Sequence, residues 1–478
     1  MYSFLISLAV LILGYVIYGA YIERMIKPDA NRATVAMTKA DGVDFVPLPS
    51  WKIFMIQFLN IAGLGPIFGA VMGAKFGVAS YFWIVLGTIF AGAVHDYIAG
   101  MISLRNDGES LPESIGRYLG MSAQQVMRFF IVILLILVSA VFVAGPAGLL
   151  AKLTAGGNPL FDVNFWVIII FIYYIIATML PIDKIIGRIY PLFSVALLFM
   201  EIGILSMLIF SKGWTLPEFT DPISYAPHPA GIPIFPMMFI SIACGAISGF
   251  HASQSPMMAR CMKNEKLGRP IFYGAMIVEG IEALIWAAAA TYFFHENGFA
   301  ESNAAVVVDT ITRSWLGTFG AVLAMLGVVF APITSGDTAL RSARLIVADI
   351  FKFEQKSIKS RLIISLPLLL LTVGFLIYSL RDVDGFNIIW RYFAWANQVL
   401  ATVTLWMISV YLVKEKKNYF VALIPALFMT AVVTCYILVA GEGLALPELY
   451  GYIVAGVAMA ACLVKFLMWK SKLSTTEK

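Results

Sequence analysis

The sequence predicts an all-α integral membrane protein with about thirteen transmembrane helices, and composition, apolar runs and the placement of positive charge predict this fold class. Of the 478 residues, 60% are hydrophobic and 13% are charged, whereas soluble domains carry about a quarter charged residues. One spanning helix takes about 20 consecutive apolar residues, and such runs recur along the whole chain. We therefore expect a single membrane domain over residues 1–478.

Charged residues and Pro/Gly-rich breaks divide the apolar sequence into thirteen predicted helices, which we number in chain order. Helix 1 lacks the basic segment and the cleavage site of a signal peptide, so we expect it to be retained in the membrane. The predicted helices lie near 2–22, 53–74, 78–103, 128–151, 163–181, 186–211, 233–258, 270–295, 316–350, 361–380, 387–413, 418–440 and 450–469.

Lysine and arginine are unevenly distributed between the loops, and this distribution predicts the orientation of the helices. If the N-terminus lies outside and the chain crosses the membrane at each helix, 27 of the 33 Lys and Arg fall on the inner side and six on the outer side. Positive residues stay cytoplasmic, so the pattern predicts an N-out, C-in topology. A wrong helix count would have disturbed the alternation of richer and poorer loops.

Glycine clusters interrupt predicted helices 2 and 7. The first is GLGPIFGAVMG over residues 63–73, and the second is CGAISGFHAS over residues 244–253. The two helices are five spans apart and run in opposite directions, so helices 2–6 and 7–11 form two halves of inverted topology. Broken helices in corresponding positions indicate a midplane binding site in secondary transporters. The predicted parts are 1–52 (an extra helix and cytoplasmic loop), 53–211 (first repeat), 233–413 (second repeat) and 418–478 (two extra helices and a cytoplasmic tail).

The residues at the two breaks predict where a substrate binds. Gly63 and Gly65 permit non-helical backbone, and Pro66 suits the first turn of a new helix. We expect one half-helix to begin near Pro66 and a second to begin near Phe250, after an unwound segment at 245–249. Free amides at the positive end of a half-helix favour a carboxylate. The predicted substrate-binding residues are Asn60, Gly63, Gly65, Pro66, Ser248, Gly249, His251, Ser253 and Gln254.

A second explanation of the first glycine cluster stays open. Gly65, Gly69 and Gly73 are spaced by four residues, which is typical of faces on which two membrane helices pack closely. The proline, the polar residues from Ser248 to Gln254 and the five-span separation favour the broken-helix site.

Four segments of the chain together resemble the carbon starvation protein family of bacterial inner-membrane transporters. They are NIAGLGPIFGAVMG from Asn60, GAVHDY from Gly92, ISGFHASQSPMMARC from Ile247 and APITSGDTALRSAR from Ala331. The resemblance implies a bacterial inner-membrane location and uptake of pyruvate or small peptides, with proton-coupled pyruvate symport the first expectation. It also implies the five-plus-five inverted repeat of the amino acid–polyamine–organocation superfamily. The long members of the family carry additional C-terminal sequence, which leaves the substrate open between pyruvate, amino acids and peptides.

The segment from Asn60 is also similar to the unwound first core helix of sodium-coupled transporters with the leucine-transporter fold. In those transporters a sodium ion lies between carbonyls of that helix and a carbonyl with two hydroxyls on the eighth core helix, which corresponds to helix 9 here. The resemblance implies sodium as an alternative coupling ion to the proton, and no other cofactor. Threonine and serine also hydrogen-bond across helices without an ion. The implied ligands are Leu59, Ala62, Ala331, Thr334 and Ser335.

Ionisable residues inside the predicted spans are candidates for the proton site, because a charge at the bilayer centre costs about 3 kcal/mol. His251 is the first candidate, since imidazole titrates closest to neutral pH and lies where a substrate carboxylate would approach. His95 with Asp96 is the second, as a relay or as a structural pair. Asp337 precedes Arg341 by four residues, a spacing that favours a neutralising pair on one helix face. The further candidates are Glu201, Glu279 and Glu282.

Other functional classes have weaker signals. Residues 246–249 differ by one residue from the Gly-x-Ser-Gly motif of rhomboid-type proteases, which makes Ser248 and His251 the dyad of an alternative intramembrane hydrolase. The sequence contains no repeated filter loop of a channel and no phosphate-binding loop of a nucleotide-driven pump. Its basic residues follow the membrane topology, so we expect no nucleic-acid partner. The four cysteines show no paired spacing, which predicts neither a disulfide nor a metal cluster. The expected partners are the substrate and the lipid bilayer, and the sequence does not predict an oligomeric state.

Overall fold

Long helices joined by short loops make up the part of the chain that the computed structural model describes, which is residues 1–154, 160–180, 186–221, 228–299, 304–381 and 385–476. No β-strand occurs within those ranges. All thirteen predicted helices have a helical counterpart, and the labels below follow the predicted numbers. The first six are α1 (Tyr2–Ile26), α2a (Ser50–Ile61), α2b (Leu64–Gly73), α3 (Ala79–Arg105), α4 (Met121–Thr154), α5 (Val163–Met179) and α6 (Ile186–Met207).

The second half of the chain begins with another broken helix. Helix 9 is also irregular, because a kink at Gly317 (φ 62°) and a π-helical turn at Met325–Val329 interrupt it. The helices are α7a (Ile234–Ser241), a single turn at Ala243–Ala246, α7b (Gly249–Ala259), α8 (Gly274–Asn297), α9a (Ala304–Ala324), α9b (Phe330–Phe351), α10 (Ile358–Arg381), α11 (Gly385–Lys414), α12 (Phe420–Val439) and α13 (Glu448–Thr476).

Most of these helices are long and apolar enough to cross a bilayer without interruption. Among the described residues nine helices meet that condition, and the bent pair Ser50–Ile61 and Leu64–Phe76, with a 46° angle between its parts, makes a tenth. The other three predicted spans are α5, which has only 17 residues, and the interrupted helices α7 and α9. The difference between ten and thirteen therefore reflects short and broken helices.

Segments that the charge pattern assigns to one side of the membrane meet in the structure. On the predicted inner side, Arg105 Nη2 lies 2.9 Å from Glu265 Oε2, and Lys417 Nζ donates to the Ile26 carbonyl at 3.1 Å. On the predicted outer side, Arg391 Nε lies 3.8 Å from Glu442 Oε1. The segments that make these contacts are thus grouped as predicted, and the excess of positive charge indicates which group is cytoplasmic.

A buried ion network on the inner side corrects one predicted pairing. Arg341 does not pair with Asp337 on its own helix. Its Nη1 lies 3.1 Å from Oδ1 of Asp44, in the loop between α1 and α2a, and Arg344 Nη2 lies 3.3 Å from the same oxygen. Burial alone raises the pKa of Asp44, but the charges of Arg344, Arg341 and Arg260 outweigh burial and lower that pKa below its ordinary value.

Replacing Asp44 with Asn should destabilise the folded protein, because two buried guanidinium groups then lose their carboxylate. Breaking a buried ion pair by removing one partner costs about 3 to 5 kcal/mol, so the thermal unfolding midpoint in detergent at neutral pH should fall. Because the folded-state pKa of Asp44 is lowered, its contribution is present above the unfolded-state pKa of about 3.9 and disappears as pH falls through the folded-state pKa. The difference between wild type and variant should therefore shrink in acid.

Asp107→Asn is the matched control for that prediction. Asp107 forms an exposed pair with Lys39 at 2.9 Å, and exposed pairs contribute about 0 to 1 kcal/mol. Equal unfolding midpoints for Asp44→Asn and wild type would show that the buried network does not hold the inner side together.

Candidate functional site

The break in helix 2 lies where the glycine cluster predicts it. Ala62 (ψ 61°) and Gly63 (φ −97°, ψ −148°) leave helical backbone, and α2b begins at Leu64 with Gly65 and Pro66 in its first turn. The restart is therefore confirmed within two residues of the predicted position. Gly63 has no side chain that can cap α2b, and Pro66 has no N–H, so the amides of Leu64 and Gly65 form the positive end of the half-helix.

The break in helix 7 is narrower than predicted. Gly245 and Ala246 belong to a helical turn, and only Ile247 (φ −160°, ψ 138°) and Ser248 (φ −143°, ψ 123°) are extended before α7b begins at Gly249. The predicted restart near Phe250 is confirmed, whereas the predicted unwinding of residues 245–249 is wrong for Gly245, Ala246 and Gly249, which are helical.

Two side chains of α11 satisfy the polar backbone of the helix 7 break. Asn397 Oδ1 accepts from the Phe250 amide at 2.6 Å, and Asn397 Nδ2 donates to Ser248 Oγ at 2.9 Å. Gln398 Nε2 donates to the Ile247 carbonyl at 2.8 Å. The prediction of an open amide end at helix 7 therefore does not hold for the Phe250 amide, which Asn397 caps in this conformation. An Asn-Gln pair inside an apolar helix is the sequence signal for this contact.

The two broken helices pack directly against each other. A Cβ atom placed at Gly65 would lie 2.4 Å from the Cys244 sulfur, and one at Gly69 would lie 2.6 Å from the Ser241 carbonyl oxygen. Gly73 would meet Ile242 at 2.3 Å in the same way. Both explanations of the glycine cluster therefore apply. The helix breaks before Gly65, and the face formed by Gly65, Gly69 and Gly73 then packs closely against helix 7.

The remaining predicted substrate residues of helix 7 bond among themselves. Ser253 Oγ donates to the Phe250 carbonyl at 2.6 Å, and Gln254 Nε2 donates to Ser253 Oγ at 2.9 Å. At helix 2, Asn60 Oδ1 accepts from Thr338 Oγ1 at 3.2 Å. These three side chains are buried. The contacts of Ser253 and Gln254 lie within α7b, whereas the contact between Asn60 and Thr338 ties α2a to α9b. Gly249 is also a close-packing position, because a Cβ atom there would lie 2.4 Å from the Asn397 carbonyl oxygen.

A cluster of titratable side chains lies beside the helix 7 break. Asp96 Oδ1 lies 2.7 Å from His95 Nδ1, and Asp96 Oδ2 lies 2.9 Å from His251 Nδ1. On the opposite edge of the His251 ring, Nε2 lies 3.5 Å from Glu279 Oε2. All four side chains have no exposed surface. The structure thus brings four of the five predicted coupling residues together from α3, α7b and α8.

This arrangement corrects the expected role of His251 as a direct partner of the substrate. Both ring nitrogens face carboxylates of the protein, so neither is directed at a second anion in this conformation. The hydrolase alternative meets the same difficulty, because Ser248 Oγ bonds to Asn397 while His251 bonds to Asp96. The predicted Ser–His contact is not formed.

Asp337, the fifth predicted coupling residue, lies apart from this cluster. Its Oδ2 accepts from Tyr173 Oη of α5 at 2.6 Å, and Asp337 is fully buried. The sequence analysis did not single out Tyr173, since a tyrosine in an apolar helix has no distinctive spacing relative to a carboxylate 164 residues away.

Four of the five residues that the sodium resemblance implies, Leu59, Ala331, Thr334 and Ser335, place oxygens close together. Ser335 Oγ lies 3.1 Å from the Leu59 carbonyl oxygen, 3.0 Å from that of Asn60 and 3.0 Å from that of Ala331. Thr334 Oγ1 lies 2.7 Å from the same Ala331 oxygen. One hydroxyl proton cannot satisfy three carbonyls at once, and an all-oxygen set of this kind is the donor chemistry that hard cations prefer. The carbonyl of Ala62 belongs to the neighbouring break.

A family model described as carbon starvation protein CstA matches residues 1–158, 149–315 and 296–436 of this sequence. The chain belongs to that family. It is therefore a multi-pass transporter of the bacterial inner membrane, as the sequence predicted.

Relatives within and near the family are similar to different extents. An uncharacterized membrane protein of Haemophilus influenzae is 42% identical over 61% of this chain and 91% of its own length. The peptide transporter CstA of Bacillus subtilis is 25% identical over 88% of this chain and 87% of its own length. The pyruvate/proton symporter BtsT of Escherichia coli is 28% identical over 60% of this chain, but the match spans only 48% of BtsT.

Two solved structures confirm the predicted leucine-transporter fold of this family member. MhsT in complex with L-phenylalanine has a TM-score of 0.54 at 14% identity and covers 86% of this chain and 97% of its own. The manganese transporter of Eremococcus coleocola has a TM-score of 0.51 at 13% identity and covers 90% of this chain and 98% of its own. At this identity the likeness concerns the fold alone.

Proposed function

We propose that this protein is a secondary active symporter that imports a small carboxylate, pyruvate first, by cation-coupled alternating access. The observation that carries the proposal is the amide end of α2b at the helix 2 break, in the same packed core as the buried His–Asp–His–Glu cluster. The name of BtsT supports pyruvate and a proton, and the names of the CstA relatives keep peptide uptake as the alternative.

The surroundings of the helix 2 break support a small substrate with an apolar end. A Cβ atom at Gly63 would lie 3.6 Å from the ring of Phe142, and that ring packs edge-on against Phe250 and Phe393 at 6.5 and 6.0 Å between centroids. The amides of the break therefore lie beside a group of aromatic rings. A carboxylate can accept hydrogen bonds from such amides, and a methyl-sized group can pack against the rings. The close approach of Gly65 to Cys244 leaves little width for a longer peptide.

The buried cluster supports coupling to a proton. Asp96 and Glu279 are acids on α3 and α8, whereas His251 lies on α7b, two residues after the start of that half-helix. A movement at the helix 7 break therefore changes the distance between His251 and both acids. Since a buried imidazolium is stable only while a carboxylate pairs with it, such a movement releases or takes up a proton. Because Asn397 of α11 caps the start of α7b, α11 can hold the helix 7 break in one position of this movement.

Sodium coupling is a second candidate, favoured by the oxygens around Ser335. Ser335→Ala removes one oxygen ligand from that group and keeps the helix, so any uptake driven by a sodium gradient should fall by about tenfold or more while proton-driven uptake persists. Ser409→Ala is the control, because its hydroxyl donates to the Leu405 carbonyl of its own helix. Sodium-driven uptake that is equal in Ser335→Ala and wild type would remove this group from the mechanism.

Uptake by the purified protein in liposomes tests the whole proposal. Pyruvate, longer 2-oxo acids, amino acids and dipeptides should each be offered under an imposed proton gradient, an imposed sodium gradient and neither. We expect pyruvate to accumulate under the proton gradient. Accumulation of dipeptides or amino acids alone would replace pyruvate with the alternative, and uptake that no gradient drives would contradict a symporter.

A further inference from the structure

Two glutamates outside the His–Asp–His–Glu cluster form a buried acid pair at the centre of the protein. Glu279, Glu282 and Trp286 are separated by three and four residues along α8, so they share one face of that helix. Trp286 Nε1 donates to Oε1 of Glu201 on α6 at 2.7 Å. Glu201 therefore reaches α8 one turn beyond Glu282. The pair comprises Glu201, which is 5% exposed, and Glu282, which is 2% exposed.

No cation among the described residues accompanies this pair. Both carboxyl oxygens of Glu282 and Oε2 of Glu201 are buried without a hydrogen-bond partner there. The charged groups that act on Glu282 are Glu201 of α6 and Glu279 of its own helix, and those that act on Glu279 are His251 and Asp96. Two neighbouring carboxyl groups that are both buried and have no cation beside them among the described residues are not both ionised, so the pair holds at least one proton. A purely structural pair would use a cation or amide partners instead.

The order of these groups along the structure forms a continuous line. Glu282 follows Glu279 in the direction of Asn297, the end of α8 that the charge pattern assigns to the outer side. From Glu279 the line continues to His251 Nε2 at 3.5 Å, and from His251 Nδ1 to Asp96 Oδ2 at 2.9 Å. Asp96 lies in the part of α3 that approaches its inner end at Arg105. The 3.5 Å and 2.9 Å separations on either side of His251 are within reach of a rotamer change or of one water molecule, and Glu279 and Glu282 are neighbours three residues apart on one helix.

We propose that Glu201 and Glu282 are the outward proton-loading pair of the transporter and deliver the coupled proton through Glu279 to His251. The inference rests on the proposed proton-coupled function and adds the residues that feed its proton site. In each step an O–H bond of one carboxyl group breaks and an O–H bond of the next forms, and at His251 an N–H bond forms on Nε2. The proton leaves from Nδ1 to the carboxylate of Asp96, and no electron is transferred.

The test uses Glu282→Gln and Glu201→Gln, which keep the shape of each side chain and remove its titration. Three quantities are measured in liposomes containing the full chain: pyruvate exchange across a membrane without a gradient, pyruvate accumulation driven by a proton gradient, and proton influx reported by a trapped pH dye. Exchange needs no net proton transfer, so it should stay close to the wild-type level. Gradient-driven accumulation and proton influx should fall by about tenfold or more. Glu296→Gln, at the exposed outer end of α8, is the control and should change none of the three.

The possible results separate this inference from the function beneath it. Full gradient-driven accumulation in both glutamine variants would overturn the acid pair as the loading site. If the glutamine variants lose exchange as well, Glu282→Asp, which restores a titratable group, should recover accumulation, and equal loss in that variant would also overturn the inference in favour of a packing role. A wild-type protein that takes up pyruvate into initially pyruvate-free liposomes without any proton influx would instead contradict the proposed coupling itself.

Discussion

Gly65→Val should abolish pyruvate uptake while leaving the protein inserted in the membrane. A Cβ atom at this position would lie 2.4 Å from the sulfur and 2.6 Å from the Cβ atom of Cys244, and valine adds two further methyl groups. The first turn of α2b must then move away from the turn at Ala243–Ala246, and the amides at Leu64 and Gly65 move with it. A misplacement of about 1 Å in a binding group costs about a hundredfold in rate. Initial uptake rates in membrane vesicles, normalised to the amount of inserted protein, measure the effect.

Two further variants show whether the position of the half-helix is responsible. Gly374→Val on α10 is the matched control, because a Cβ atom at Gly374 has no neighbour within 4 Å, and it should transport normally. Gly65→Ala combined with Cys244→Gly removes both clashing atoms and should recover part of the activity that Gly65→Ala alone loses. Normal uptake by a monodisperse Gly65→Val protein would mean that the helix 2 break does not bind the substrate.

The features that the sequence predicted well are those that depend on neighbouring residues. Glycine and proline at 63–66 act on their own backbone, so the position of the break follows from four adjacent letters. The alternation of lysine and arginine between loops reflects insertion of each helix against its neighbours, and the helix bounds follow from continuous apolar runs. These signals require no knowledge of which helices touch.

The features that the sequence did not predict depend on contacts between distant segments. Spacing along one helix suggested that Asp337 neutralises Arg341, but the carboxylate that pairs with Arg341 is 297 residues away at Asp44. The cap on the helix 7 break comes from Asn397, 147 residues beyond the amide it binds. A single sequence shows that each of these polar groups needs a partner, and only the packed helices determine which partner it finds.

The same dependence on packing makes the proton cluster the most informative place for a second substitution. Local reasoning directed His251 towards the substrate, whereas the structure surrounds its ring with Asp96 at 2.9 Å and Glu279 at 3.5 Å. His251 remains a predicted coupling residue, but the expected effect of replacing it changes. A direct ligand would affect substrate affinity, whereas a buried proton carrier affects the link between the gradient and uptake.

His251→Gln should therefore separate transport from the proton gradient and leave substrate binding largely intact. Glutamine keeps an amide donor for Asp96 but does not titrate near neutral pH, so the variant cannot carry a proton between the two acids. Gradient-driven accumulation should fall by about a hundredfold, which is within the range that loss of one proton-transfer group produces. The dependence of uptake on external pH should also flatten. Uptake measured over a series of external pH values, together with pyruvate exchange at constant pH, distinguishes the two effects.

His295→Gln supplies the comparison, because His295 lies in the last turn of α8, is exposed, and should leave the pH dependence unchanged. If His251→Gln raises the pyruvate concentration needed for half-maximal exchange and keeps the wild-type pH dependence, then α7b must present the imidazole to the substrate in another conformation, and the contacts with Asp96 and Glu279 would be a resting arrangement. If exchange persists and the pH dependence is lost, the buried carboxylates are the partners of His251 that matter for coupling. A proton that moves between those acids then links the gradient to transport at a site that the substrate does not contact.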